Sequence, residues 1–242
     1  MTTVVLLRHG RTRANSTGVL AGRSPGVILD DTGHAQAKAA AERLAGAPLC
    51  AIVTSPLQRC RQTAATVAAR HDLTPTVDAG ITECGYGEWT GRSLKELAKE
   101  PLWRTVQDQP SAVRFPGGES MVEMAARAQR TVRDLDREIA ARHGDDAVWL
   151  AVSHGDVIKA ILADALGVHL DHFQRILVDP ASVSVVRLTP TRPYVACVNT
   201  TAGDLTALLT PPKRSRRGGK RSGGPGNGED AAVGGGLGAG AR

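Results

Sequence analysis

Arg8 and His9 follow directly on the apolar run Thr3 to Leu7 (TVVLL), and Arg11 and Arg13 come close behind in the stretch LLRHGRTRAN. Such residues at a strand end make either a solvated basic loop or the floor of an anion site. Two more segments set comparable groups after short apolar runs: Arg59 in TSPLQRCRQTA and His154 in AVSHGD. A guanidinium can grip a phosphate with two parallel hydrogen bonds, which an ammonium cannot reproduce, and imidazole titrates near neutral pH. Taken singly each segment has a plainer reading. Arg59 falls on the polar side of its helix and reads alone as a solvated arginine, though a cation at a helix N-terminus is unfavourable unless an anion binds there. His154 reads alone as a hydrogen-bonded structural residue, with Gly155 permitting a tight turn and the following helix offering free backbone N–H groups.

The elements that must position these groups alternate along the chain. A buried strand is expected at Thr3 to Leu7, then a helix at Thr32 to Leu44 capped by Thr32. A strand at Ala51 to Thr54 precedes a helix from Pro56 to about Arg70, with Ser55 as N-cap and Pro56 at the first helical position. A weak strand near Pro75 to Val77, a long amphipathic helix from Glu119 to Arg142, a strand at Val148 to Val152 and a helix at Asp156 to Leu166 follow. Strands near Val183 to Leu188 and Tyr194 to Asn199 complete the set. This alternation predicts an α/β fold, a three-layer sandwich with a mostly parallel sheet and helices on both faces. Open sheets of that kind bind ligands at the carboxyl ends of their strands, and all three segments leave such ends.

The chain has 242 residues and a net charge of +6. Residues 211–242 hold 7 basic and 2 acidic residues, leaving 23 basic against 22 acidic, or +1, for residues 1–210. The body is therefore close to neutral, and no general affinity for nucleic acid is expected of it. Residues 211–242 read as a disordered basic Gly-rich tail, with 11 of the 27 glycines and little apolar surface to offset the entropy of ordering. The cluster KRSRRGGKR within it could make weak contact with nucleic acid, but aromatic interleaving is absent. The cysteines Cys50, Cys60, Cys84 and Cys197 show no CxxC spacing and read as free thiols, mostly buried. No apolar run is long enough to span a bilayer, and Met1 to Arg13 lacks the apolar core of a secretory leader, so a soluble cytoplasmic protein without membrane contact is expected.

Set in order, RHG after the first strand, the arginine of TSPLQRCRQTA, Glu83 in ITECGYGEWTG, PGGES at 116–120 and SHG at 153–155 together resemble the histidine phosphatase superfamily, which includes the cofactor-dependent phosphoglycerate mutases. The resemblance runs from residue 3 to about residue 200. It implies a phosphoglycerate mutase-like catalytic domain over residues 1–210, with a cap insertion at about 84–118. It also implies that His9 is the nucleophile that forms a phosphohistidine, and that Arg8, Asn15, Arg59 and His154 bind the phosphate. Glu83 would protonate the leaving alkoxide and then take a proton from water; the family pattern selects it over Glu88. The family often carries an acidic or amide residue where Arg11 stands, which leaves the rim electrostatics open. No metal or cofactor is called for.

The substrate class implied is a small anionic phosphorylated metabolite, and phosphomonoester hydrolysis is the preferred reaction. Only 35 residues separate Glu83 from Glu119, shorter than the insertion of true mutases. PLWRTVQ at 101–107 is similar to a Trp-Arg pair of that insertion, with Thr105 where a second arginine is expected, so a phosphomutase remains the alternative. A non-catalytic phospho-ligand-binding module is a third. Arg92, Lys95, Lys99, Arg104 and Arg114 make the cap segment basic, as an anionic metabolite would require, and Trp89 and Trp103 are candidates for either an apolar wall or the core. Cysteine phosphatase chemistry is excluded, since the positions six residues beyond the cysteines are Pro56, Thr66, Thr90 and Gly203. HLDH at 169–172 reads as a turn rather than a zinc site. Oligomeric state is not read from the sequence.

Overall fold

The computed structural model describes residues 1–210, and the expected Gly-rich tail at 211–242 lies outside them. Six strands form one sheet: β1 (Thr2–Arg8), β2 (Leu49–Thr54), β3 (Thr76–Val77), β4 (Val148–Ser153), β5 (Val183–Leu188) and β6 (Pro193–Thr200). Their order is β3-β2-β4-β1-β5-β6. β1 and β2 both run parallel to β4, and β3 runs parallel to β2; β5 and β6 are antiparallel. The helices are α1 (Arg13–Thr17), α2 (Asp31–Leu44), α3 (Gln58–Ala68), α4 (Leu94–Leu97), α5 (Pro101–Asp108), α6 (Met121–His143), α7 (Gly155–Ala165) and α8 (Thr206–Leu209).

The central strands are apolar without a break because both faces are covered. Side chains alternate between the two layers: Val5 and Leu7 of β1 pack with Ala40 and Leu44 of α2 and Val67 of α3. Val4 and Leu6 pack on the other side with Met124 and Val132 of α6 and Ile161 of α7. Burying one Val or Leu contributes about 1.5–3 kcal/mol, so the helices are held chiefly by these two clusters. One buried carboxylate adds direction: Asp136 of α6 accepts from Thr2 Oγ1 at 2.7 Å and from Trp149 Nε1 at 2.9 Å, fixing α6 against β1 and β4.

Three expected helix starts are corrected. α2 is capped by Asp30, which accepts from the Gly33 N–H at 2.8 Å, and Thr32 lies inside the helix, where its hydroxyl accepts from Arg11. α3 begins at Gln58 after Leu57, with no side-chain cap. Ser55 does not cap it because its hydroxyl bonds His154 Nε2 at 2.8 Å, and Pro56 stands in the bend before the helix rather than at its first position. The long helix starts after Ser120, in a capping box with Glu123, rather than at Glu119. Cys60 and Cys84 are buried as expected, whereas Cys50 and Cys197 are half-buried; all four are free.

Two glycines allow a close approach that shapes the site. A Cβ on Gly10 would lie 2.4 Å from the Gly33 carbonyl oxygen, and one on Gly33 would lie 1.9 Å from that of Arg11. The N-terminus of α2 is thus pressed against the loop that leaves β1. The segment 84–118 carries α4, α5 and two single-turn 3-10 helices, and it sends Trp89, Leu97, Val113 and Phe115 into the α6/α7 side of the core. Among the described residues, no helix is long and apolar enough to cross a membrane.

Candidate active site

The carboxyl ends of β1, β2 and β4 come side by side, as parallel pairing of these three strands requires. There a cavity of about 500 Å³ opens, with Arg8, His9, Arg59 and Glu83 among its lining residues. His154 lies one layer behind, fully buried, its ring 5.3 Å from that of His9.

His9 leaves β1 with its backbone N–H donating to the Ser153 carbonyl at 3.0 Å. Its Nδ1 donates to the Gly10 carbonyl at 2.8 Å, so the proton of the neutral ring sits there. Nε2 is left with its lone pair and accepts from Arg59 Nε at 3.1 Å. Burial, and then the charges of Arg59 and Arg8, hold His9 well below the usual imidazole range. A neutral imidazole with a bare Nε2 is the form that can attack phosphorus.

Arg59 reverses the plain reading of its helix: it is buried rather than solvated. Its Nη2 donates to the Gly22 carbonyl at 2.9 Å and to His154 Nδ1 at 3.1 Å. Arg8 Nη1 donates to the Val178 carbonyl at 2.6 Å. What remains is one buried nitrogen on each guanidinium without a protein partner, Arg8 Nε and Arg59 Nη1. An unpaired buried charge-bearing donor is costly, and an anion in the cavity would remove that cost twice.

Because Arg59 donates to Nδ1 of His154, the proton of that neutral ring is on Nε2 and goes to Ser55 Oγ. Complete burial, followed by the charge of Arg59, holds His154 well below its usual range. His154 also stands at the N-cap of α7, whose free N–H groups and dipole favour an anion in front of it. Glu83 is buried, with Oε1 accepting from the Cys84 N–H at 3.0 Å and Oε2 lying 3.7 Å from His154 Nδ1. Burial and the negative charge of Asp156 push its carboxyl up to about 7 against the opposing pull of Arg59 and Arg8. Glu88, the rival in the same motif, is exposed.

Asn15 lines the cavity, but its side-chain oxygen accepts from the Thr12 N–H at 3.0 Å and from Thr12 Oγ1 at 2.9 Å, closing a capping box on α1. Arg11 turns away to Asp30 at 2.9 Å, and Arg13 is exposed. The basic residues of 84–118 do not face the cavity, contrary to the expectation drawn from their number. Arg92 pairs with Glu100 at 2.6 Å, Arg104 with Asp108 at 3.3 Å and Arg114 with Glu123, while Lys95 and Lys99 are exposed. Trp89 and Trp103 serve both suggested roles, lining the cavity and stacking on one another at 6.2 Å beside Phe115. In HLDH, Asp171 accepts from the Ser111 N–H at 2.8 Å and pairs with His169 at 3.2 Å. Among the described residues, no group of three His, Cys, Asp or Glu side chains is placed to hold a metal ion.

Several residues that shape the site escaped sequence reasoning. Glu119 of PGGES accepts from the Gly85 N–H at 3.1 Å, from Arg23 at 2.9 Å and from both prongs of Arg127 at 2.9 and 3.0 Å. Arg127 also holds the Gly80 and Thr82 carbonyls, at 2.6 and 3.1 Å, and Arg23 the Glu83 carbonyl at 2.7 Å. This lattice fixes the backbone of the glutamate loop. Tyr86 donates to Asp156 Oδ2 at 2.8 Å, and the acid of SHGD was the one visible hint of that contact.

The comparisons with known proteins agree with this geometry. A bifunctional protein of Mycobacterium tuberculosis is 36% identical over 187 residues, 76% of this chain but 50% of that one, so the chain spans about half the length of that relative. Phosphoserine phosphatase 1 of Hydrogenobacter thermophilus is 31% identical over 206 residues, covering 83% of this chain and 93% of the other. A solved mycobacterial glucosyl-3-phosphoglycerate phosphatase in complex with VO3 superposes with a TM-score of 0.73 at 27% identity, over 81% of this chain and 98% of that one. The family model of the histidine phosphatase superfamily (branch 1) matches residues 4–201, and this chain belongs to that family.

Proposed function

We propose that the chain hydrolyses small phosphomonoesters through a phosphohistidine on Nε2 of His9. The observation that carries this reading is the pair of unpartnered buried donors, Arg8 Nε and Arg59 Nη1, beside an imidazole whose Nε2 bears no proton. Phosphomonoesters resist attack because their oxygens are negative, and two guanidinium groups with α7's N-terminus answer that charge. His9 Nε2 then bonds to phosphorus as the P–O ester bond breaks, and the protonated carboxyl of Glu83 gives its proton to the departing alkoxide. In the second step Glu83 takes a proton from water. The water oxygen bonds to phosphorus, the P–N bond breaks, and inorganic phosphate and neutral His9 are restored. When phosphate draws Arg59 onto its oxygens, Nδ1 of His154 is freed to take a proton and donate to the same oxygens. Asn15 shapes the wall through α1, and residues 84–118 act as the cap.

The phosphomutase alternative needs a second cationic site, and the arginines that suggested one, Arg104 above all, are turned to carboxylates outside the cavity. A small phosphate ester is the proposed partner, and a reducing cytoplasm fits four free cysteines. Wild type and His9→Ala are to be compared on an aryl phosphate and on 3-phosphoglycerate with a bisphosphoglycerate primer. Phosphate release should fall on the order of 10⁴-fold or more in His9→Ala. Interconversion without net phosphate release, or an undiminished variant, would sink the reading.

A further inference from the structure

Above the anion floor the cavity changes character. Its remaining wall is drawn largely from Leu20, Trp89, Leu94, Trp103, Val106 and Phe115. α5 contributes Trp103 and Val106 from a helix with no fully buried residue; both side chains are half-buried against the core and leave the rest of their apolar surface facing the cavity. Leu94, 41% exposed, is a large apolar residue left at the surface beside that opening. The cations tell the same story from the other side. Apart from Arg8 and Arg59, the lining cation is Lys159, and it is already engaged, donating to Gln174 Oε1 at 2.9 Å and lying 3.8 Å from Asp156. A carboxylate carried by a substrate would be stripped of water against indole and leucine, with Asp156 nearby and, among the described residues that line this wall, no cation without a protein partner to receive it.

We infer that the alcohol released by this enzyme is uncharged, with a flat apolar body that lies against the Trp103 and Val106 wall, and is not a carboxylate-bearing one. The inference rests on the phosphatase reading and narrows it: the anionic requirement is confined to the phosphate, and the rest of the substrate is selected by burial of apolar surface. Because one good cation–carboxylate contact distinguishes the two substrate classes, placing a charge on the wall should shift the preference.

The experiment compares kcat/KM of the full chain for benzyl phosphate with that for phosphoserine and 3-phosphoglycerate. Benzyl alcohol is no better a leaving group than the serine hydroxyl, so intrinsic reactivity does not favour it. Benzyl phosphate should be preferred by tenfold or more, and Val106→Lys should narrow the ratio at least threefold. Trp103→Ala offers a second reading, with a larger loss on benzyl phosphate than on phosphoserine. A ratio below tenfold, or equal losses on both substrates in Trp103→Ala, overturns the inference while His9-dependent hydrolysis still stands. Absence of His9-dependent hydrolysis on all three substrates would instead remove the phosphatase reading beneath it.

Discussion

At the scale of the residue, rate and pH meet in Glu83 and Asp156. The proposed ester cleavage needs Glu83 with its proton and His9 without one. Glu83 titrates at about 7 and His9 well below the usual imidazole range, so kcat/KM should be flat between the two and fall above about 7. Asp156 raises the Glu83 carboxyl by its charge, second only to burial. Asp156→Asn should therefore move the alkaline limb of kcat/KM towards lower pH; an unmoved limb would mean that burial alone retains the proton. Arg8, His9, Arg59, Glu83 and His154 were legible because five short motifs stand in one order along the chain. Their orientations were not, since Arg59 faces inward only where Gly22, His9 and His154 meet it, from sites up to 95 residues away. Arg23 and Arg127 were invisible for the same reason: each acts through carbonyls and a carboxylate that only the fold brings near.

At the scale of the element, the site depends on how tightly helices seat against strand ends. Gly10 and Gly33 let the first turn of α2 touch the loop that carries His9. Gly33→Ala sets a methyl where the Arg11 carbonyl now lies and should cost about 1–3 kcal/mol, read as a lower urea midpoint at unchanged slope. Phosphatase activity should fall with it, because the displaced loop bears His9, the proposed nucleophile; full activity with reduced stability would separate α2 from catalysis. The four longest helices, α2, α3, α6 and α7, were readable from apolar spacing, whereas the short α1, α4, α5 and α8 were not; two starts shifted because a hydroxyl or carboxylate chose another partner. Ser55 took His154 and so left α3 uncapped, a competition that local sequence does not display.

At the scale of the whole molecule, a buried acid that titrates near neutrality sets function against stability. The folded state holds Glu83 at about 7, above the 4.5 of the free side chain. The stabilisation from its protonated form is complete below the unfolded value and is lost as pH rises through about 7, a difference of about 3 kcal/mol. Glu83→Gln keeps the shape without the charge, so its Tm should exceed that of wild type by a margin that grows between pH 5 and pH 8. A constant margin would contradict the raised carboxyl. The sandwich with its mostly parallel sheet was legible from alternating strands and helices, whereas the strand order and the antiparallel pair β5 and β6 follow from pairings that no local pattern encodes. That order also has a bearing on the chain's own synthesis. β1 precedes both of its neighbours in the sheet by a long stretch of chain: β4 and β5 pair Thr3 with Val148 and with Arg187. Until residue 148 has emerged, the strand that leads to His9 has both edges bare, although α2, α3 and α6, which cover its faces, precede that point in the chain. The nascent protein thus passes through an interval in which a central strand has unpaired edges, and protection of those edges matters most before residue 148 appears.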